Sequence, residues 1–432
     1  MKSYLSSLTL LFLLFLGMTA YVVQDKILED ILTNHEDYDG FLDIAPSDSS
    51  KFFELWDVEI QSDSTTLESL EIVAELYTTY FHSLGNVQYL KKAEQTLKKI
   101  IERTTKDKTP YYVALSRNYM AQHRFMEALG VANGTVGMDT DIIRSRTLLF
   151  DVHMALGNYD RAKRNLDDIK EGTSFEYVIR LAKWNSHKGN LSETITLMEK
   201  AKSKAVEEKD RKKIVRAYKD LADYYEASGK VQDAYEHYVM VLEVDPYDIH
   251  AKKSIAKIVY AHGKNPMEAM RILDAISTSY NTPDYYLLRA EIADYQKDSL
   301  EVYANIDQYY RSMKNPDYGD MHNDSKMAFY LNLTMQYDKA IELAKKEVMN
   351  RATPKSYDLL AYSYFKNGEM KKARAIMEKH LPGKTYEPSI LYHKAEIYKA
   401  IGDVDKVASL KKELLEGVFA LGPSMKMKVV QL

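Results

Sequence analysis

The stretch YKDLADYYEASGKVQDAYEHYVMVLEVDP, residues 218–246, decides how the rest of the chain is read. Tyr218, Leu221, Ala222 and Tyr225 follow the i, i+3, i+4, i+7 spacing that gathers side chains on one helix face. Gly229 supplies a backbone conformation that a side chain resists, and the chain reverses there. Val231, Ala234 and Tyr238 continue on a second helix, which Pro246 stops. Ala222 and Ala234 stand on opposite arms of this hairpin. With one methyl each, they let the arms approach to the short end of the usual separation of about 8–10 Å.

The pattern recurs along the chain. Tyr357, Leu360, Ala361, Tyr364, Gly368, Met370, Ala373 and Met377 form a near twin. Ala128, Ala162, Thr194, Ala234, Ala269, Ala304, Ala340, Ala373 and Val407 occupy one place in the unit, 32 to 40 residues apart. Gly85, Gly157, Gly189, Gly229, Gly263, Gly368 and Gly402 mark turns, and two turns between Gly263 and Gly368 have lost their glycine. One hairpin cannot bury its apolar face alone, so such units must stack.

The unit resembles the tetratricopeptide repeat: an aromatic, a Leu-Gly or Leu-Ala pair, a Tyr, a turn glycine, an Ala, an aromatic and a closing Pro. Ala222, Ala256, Ala290, Ala328, Ala361 and Ala395 stand where the family often has glycine. The closing proline is mostly missing, and the copies near 70–105 and 282–318 are the least regular. The resemblance implies an all-α, right-handed superhelical solenoid of about ten antiparallel helix-turn-helix repeats, with first helices lining a concave groove.

Composition agrees with a thin helical stack. Only 17 Gly and 10 Pro occur in 432 residues, few for a strand-and-turn protein. Tyrosine is abundant, 34 against 12 Phe and 2 Trp, and a Tyr buries its ring while keeping a polar end satisfied. There is no Cys, which removes disulfides, thiolate catalysis and Cys-zinc sites. A net charge of -4 gives no general reason to expect nucleic acid as partner.

Four regions follow. Residues 1–20 read as a signal peptide: Lys2 is basic, Leu8 to Gly17 is apolar, and Ala20 offers a cleavage point. The alternative is an uncleaved anchor reaching Val23, which would bring the chain to a membrane. Either reading places the folded part outside the cytoplasm, in the periplasm or on the surface of a bacterium. Residues 21–69 form an acidic N-terminal segment, 70–418 the repeat array, and 419–432 a C-terminal tail. Between residues 24 and 71, 14 acids face only Lys26 and Lys51, so the remainder is mildly basic. That contrast, with Phe41, Phe52, Phe53 and Trp56 as anchors, suggests that the acidic segment folds back into the groove; the other reading is a solvated spacer.

Signals for chemistry are poor. No phosphate loop, His-Glu-x-x-His or Gly-x-Ser-x-Gly motif is present, so no catalytic, cofactor or metal residue is assigned. Asp317 to Asp324 gathers oxygen ligands and His322, but its spacing fits no EF-hand, and it reads as a solvated loop in which Asn323 or Asp324 caps the next helix. The resemblance places Arg216, Lys219, Asp223, Lys253, Lys257, Lys355, Asp358, Tyr362, Glu396 and Lys399 on the groove side of first helices. Their mixed charge suits an extended polypeptide held in the groove of a non-catalytic scaffold or adaptor. The alternative is a glycan or small-ligand module using the many Tyr; the oligomeric state stays open.

Overall fold

In a computed structural model the described residues are 34–42, 44, 66–105, 107–138, 142–169, 173–277, 280, 282–381, 383, 385–416 and 422–432. The export segment and Phe52, Phe53 and Trp56 lie outside them. A short helix α1 (Glu36–Leu42) precedes the array. Ten antiparallel hairpins follow. Repeats 1 to 3 are α2 (Leu67–Leu84) with α3 (Val87–Arg103), α4 (Thr109–Ala121) with α5 (Phe125–Gly134), and α6 (Ile142–Leu156) with α7 (Tyr159–Asp168). Repeats 4 to 6 are α8 (Phe175–His187) with α9 (Leu191–Glu208), α10 (Arg211–Ala227) with α11 (Val231–Val244), and α12 (Ile249–Ala261) with α13 (Pro266–Ile276). Repeats 7 and 8 are α14 (Pro283–Tyr295) with α15 (Ser299–Ser312), and α16 (Asn323–Asn332) with α17 (Tyr337–Asn350). Repeats 9 and 10 are α18 (Pro354–Lys366) with α19 (Met370–His380), and α20 (Pro388–Ala400) with α21 (Val404–Glu416). A last helix, α22 (Gly422–Val430), packs on α21. The described residues therefore form an all-α repeat solenoid.

The hairpin at 218–246 folds as its sequence requires. Ala222 and Ala234 are fully enclosed, and α11 ends at Val244, just before Pro246. Its first helix is started by Asp210, whose carboxylate accepts from Lys213 N at 3.1 Å. Two of the small-residue markers are out of place. Ala304 and Ala328 are exposed, and the enclosed positions nearby belong to Asn305 and Met327. Both lie in repeats 7 and 8, where the turn glycines are missing and nothing local holds the register.

Each of the ten hairpin turns contains one residue with positive φ. Gly fills six of them, at 85, 157, 189, 229, 368 and 402, and His123, Lys264, Lys297 and Met335 fill the others. Gly263 is therefore not the left-handed residue of its turn; Lys264, at φ 48°, is. A non-glycine side chain in this region costs about 1–2 kcal/mol. Met335 is 68% exposed and loses little by truncation. We expect Met335→Gly to stabilise repeat 8 by about 1 kcal/mol, read as a higher urea midpoint with unchanged slope.

The coil closes on itself. The turn of repeat 1 meets the loop after repeat 6, where a Cβ on Gly85 would lie 2.3 Å from Thr282 Cγ2. The turn of repeat 2 meets the loop after repeat 7, His123 Nδ1 lying 3.2 Å from the Asp320 carbonyl. The turn of repeat 3 meets the loop after repeat 8, with Ala352 N donating to Leu156 O at 3.2 Å. Ser186 of repeat 4 bonds Tyr386 after repeat 9. Successive turns of the superhelix thus stack with an offset of about six repeats, hairpin turns against inter-repeat loops.

Candidate functional site

First helices line the inside of this coil. Arg117 of α4 feels Asp151 of α6, Arg180 and Glu176 of α8 and Arg216 of α10. Across the interior, Lys212 of α10 pairs with Glu75 of α2. Burial there raises the Asp220 and Glu291 carboxyls and lowers the His82 imidazole.

The ten residues expected in the groove are on first helices, and each has a partner within the chain. Lys219 reaches Asp248 at 2.6 Å, Lys253 pairs with Asp284, and Lys257 reaches back to Glu226 at 2.6 Å. Lys355 meets Asp324 at 2.6 Å, Asp358 meets His393 at 2.8 Å, and Tyr362 donates to Glu396 at 2.5 Å. All six pairs join one repeat to the next. Asp223 likewise crosses to His250 at 2.9 Å and also accepts from Tyr238 at 2.6 Å. Arg216 pairs within its helix with Asp220 at 3.6 Å, and Lys399 donates to Gln431 O at 2.7 Å. The first-helix face is a polar zipper, and a ligand there would have to displace these bonds. The Lys253 ammonium and hydrogen bonding outweigh burial and hold the Asp284 carboxyl below its usual value.

Tyrosine earns its abundance in this zipper and behind it. Tyr225 donates to Glu199 at 2.5 Å and Tyr38 to Glu268 at 2.8 Å, with Tyr111 to Glu71 of the same kind. In each case the ring packs while the hydroxyl satisfies a carboxylate.

The loop at 317–324 is not a solvated linker. Asp320 meets Lys346 at 2.5 Å, and Asn323 donates to Glu347 at 2.8 Å. Asn323 and Asp324 do not cap α16; His322 precedes it without a side-chain cap, because both expected caps are engaged in pairing with α17 and α18. Among the described residues no group of three or more metal-ligating side chains gathers.

Of the acidic segment, the described helix α1 docks, but on the other face. Helix α1 sits on the second helices α11 and α13 rather than in the groove. Tyr38 is fully buried, edge-on to Tyr235 at 6.5 Å. Around it Asp39 pairs with Arg271, and Tyr235 donates to Asp37 at 3.1 Å. Leu42 is buried and Phe41 packs beside the core. The charge contrast was readable in sequence; the face was not, because Tyr235, Glu268 and Arg271 lie on the outward side of helices whose inward side carries the repeat pattern. Tyr38→Phe removes a hydrogen bond to a charged acceptor, so we expect local opening of α1 to become easier by about 2 kcal/mol, read as faster amide exchange at residues 36–42 with the array unchanged.

Residues 334–410, within repeats 8 to 10, match the family of anaphase-promoting complex, cyclosome, subunit 3, whose repeats are of the tetratricopeptide type. The helical hairpins of this chain are similar to tetratricopeptide repeats. Its solved likenesses include a tetratricopeptide repeat protein from Parabacteroides merdae ATCC 43184, at 18% identity over 57% of this chain and 93% of that one, TM-score 0.37. PilF of Pseudomonas aeruginosa covers 50% of this chain and 97% of its own at 12% identity, TM-score 0.38. Human IFIT1 solved with PPP-AAAA covers 68% of each chain at 15% identity, TM-score 0.43. No curated protein matches the chain. Tetratricopeptide arrays generally serve binding rather than catalysis.

Proposed function

We propose that the protein is a non-catalytic scaffold that holds other polypeptides outside the cytoplasm of a bacterium, and that it does so mainly on its second-helix face. The observation that carries this reading is where large apolar side chains remain exposed. Leu300, Tyr303 and Tyr310 lie on α15, Met267 on α13, Met349 on α17 and Val404 on α21. Among the described residues, the first helices α8 to α20 expose no large hydrophobic side chain. Binding energy for a polypeptide comes from a few apolar and aromatic anchors; among the described residues the second helices carry most of the exposed ones, while on first helices only Ile72 of α2 and Ile142 and Ile143 of α6 are exposed. Helix α1, seated on α11 and α13, is an example of a short acidic helix held by this face. The export reading of residues 1–20 supplies the compartment; no described helix is long and apolar enough to cross a membrane.

The test is site-specific photo-crosslinking in an envelope fraction, with the crosslinker at Tyr303 in one variant and at Lys257 in another. Adducts to a protein at Tyr303 alone support outer-face scaffolding. Adducts at Lys257 alone return the interface to the groove, and none at either site favours the glycan or small-ligand module. Recovery of the chain from the cytosol would overturn the compartment.

A further inference from the structure

A cleft of about 430 Å³ opens where repeat 2 meets repeat 3. Arg146, Leu149 and His153 share one face of α6 by their i, i+3, i+7 spacing, and Arg161, Arg164 and Asp168 share one face of α7. Both faces line the cleft, with Asn133 and Val136 at the end of α5 closing a side.

Its charges do not cancel. Asp168 is taken up by Arg146 at 3.3 Å, and Asp167 by Lys163. Arg161 and Arg164 are exposed and form no ion pair with a described residue. Among the described residues, two guanidinium groups are therefore left uncompensated at one wall. Beneath them His153 is only 5% exposed, and its Nδ1 is buried with no hydrogen-bond partner. A buried polar atom without a partner is uncommon and calls for an occupant. Burial, and then the nearby Arg161 and Arg164, hold the imidazole below its usual value. It is neutral at pH 7 and offers one N–H without adding to the charge.

We propose that this cleft binds a phosphorylated small molecule of the sugar-phosphate kind. Arg161 and Arg164 take the phosphate as paired N–H donors, and His153 donates its ring N–H to a third oxygen. The volume exceeds what phosphate alone fills and lies in the range of small-ligand sites, about 300–1,000 Å³. Asn133 and Asp167 at its edge suit hydroxyl groups, which accept from an amide and donate to a carboxylate. The cleft lies apart from the polypeptide-holding α15 and from the α1 seat, so it does not depend on either.

Titration calorimetry of the full chain at low salt, with glucose 6-phosphate, inorganic phosphate and glucose as probes, tests this. Saturable binding of glucose 6-phosphate, weaker binding of phosphate and none of glucose are expected. Arg161→Gln with Arg164→Gln should weaken glucose 6-phosphate by at least about tenfold, since each lost charge-assisted bond is worth about that factor. Both residues are exposed, so the variant should melt as the parent does. His153→Phe should weaken binding further, leaving Arg161 and Arg164 in place. No binding of any probe at millimolar concentration, or binding that the double variant leaves unchanged, overturns the proposal. Co-sedimentation with phosphatidic acid vesicles in the absence of glucose 6-phosphate binding overturns it too, in favour of a lipid headgroup.

Discussion

Gly157→Ala is expected to destabilise the protein by about 3 kcal/mol, more than twice the effect of Gly368→Ala. The two glycines have nearly the same backbone, φ 77° and 82°, each in the turn of its own hairpin. Both substitutions place an alanine in the left-handed region, at about 1–2 kcal/mol. They differ in what the new methyl meets. A Cβ on Gly368 has nothing within 4 Å, whereas a Cβ on Gly157 would lie 2.4 Å from Ala352 O and 2.7 Å from Ala352 C. Those are backbone atoms of the next superhelical turn and cannot swing aside. Either the turns separate or the loop at 351–353 deforms, at about another 1–3 kcal/mol. The loss should be localised: amide exchange at Ala352, whose N–H bonds Leu156 O, should accelerate in Gly157→Ala and stay as it is in Gly368→Ala. Equal effects of the two substitutions would mean that the turns do not touch in solution.

This contact shows where sequence stopped being informative. A repeat reads well because its information is local: spacing along one helix, a turn residue, and a small residue on the facing arm. Ala222, Ala234, Ala361 and Ala373 are enclosed as that pattern demands. The stacking of turns depends instead on the rotation accumulated over about six repeats, and no single unit encodes that angle. The left-handed turns failed in another way. Four of them use His123, Lys264, Lys297 or Met335, residues that do not advertise positive φ, because packing around the hairpin enforces the reversal without a glycine. For the site, a charged residue on the free side of a first helix looks alike whether it waits for a ligand or ties two repeats together. Lys219 and Lys253 are tied, to Asp248 and Asp284, and those acids sit at the start of the following first helix, some 30 residues on. An acid one period beyond each lysine was visible in the sequence and was the signal for the zipper. Nothing comparable marked the cleft of Arg161 and Arg164, which needs three helices brought together.

Arg180→Met should be the most damaging single change on the inner side, at about 3–5 kcal/mol. Arg180 is only 1% exposed, on α8, and its guanidinium donates to four oxygens from two repeats. Asp151 accepts at 2.6 Å, the Glu176 carboxylate at 2.6 Å, the Glu176 carbonyl at 2.8 Å and the Thr147 carbonyl at 3.1 Å. Methionine fills part of the volume but leaves Asp151 without its main cation. The effect carries a pH signature. In the parent, burial acts to raise the Asp151 carboxyl, but Arg180, with Lys183 and Arg216, holds it below 3.8. Its contribution is therefore complete above the unfolded value and fades only as the pH falls through the lower folded one. In Arg180→Met burial dominates, and the carboxyl titrates above its unfolded value. The variant then gains stability relative to the parent as the pH falls from neutral toward the ordinary carboxylate range, because protonation relieves the stranded charge. Denaturation at several pH values should show the deficit shrinking in that window; a deficit independent of pH would mean that packing, not charge, is what Arg180 supplies. The double variant Arg180→Met with Asp151→Leu separates these further, since replacing both partners removes the stranded carboxylate and should recover much of the loss.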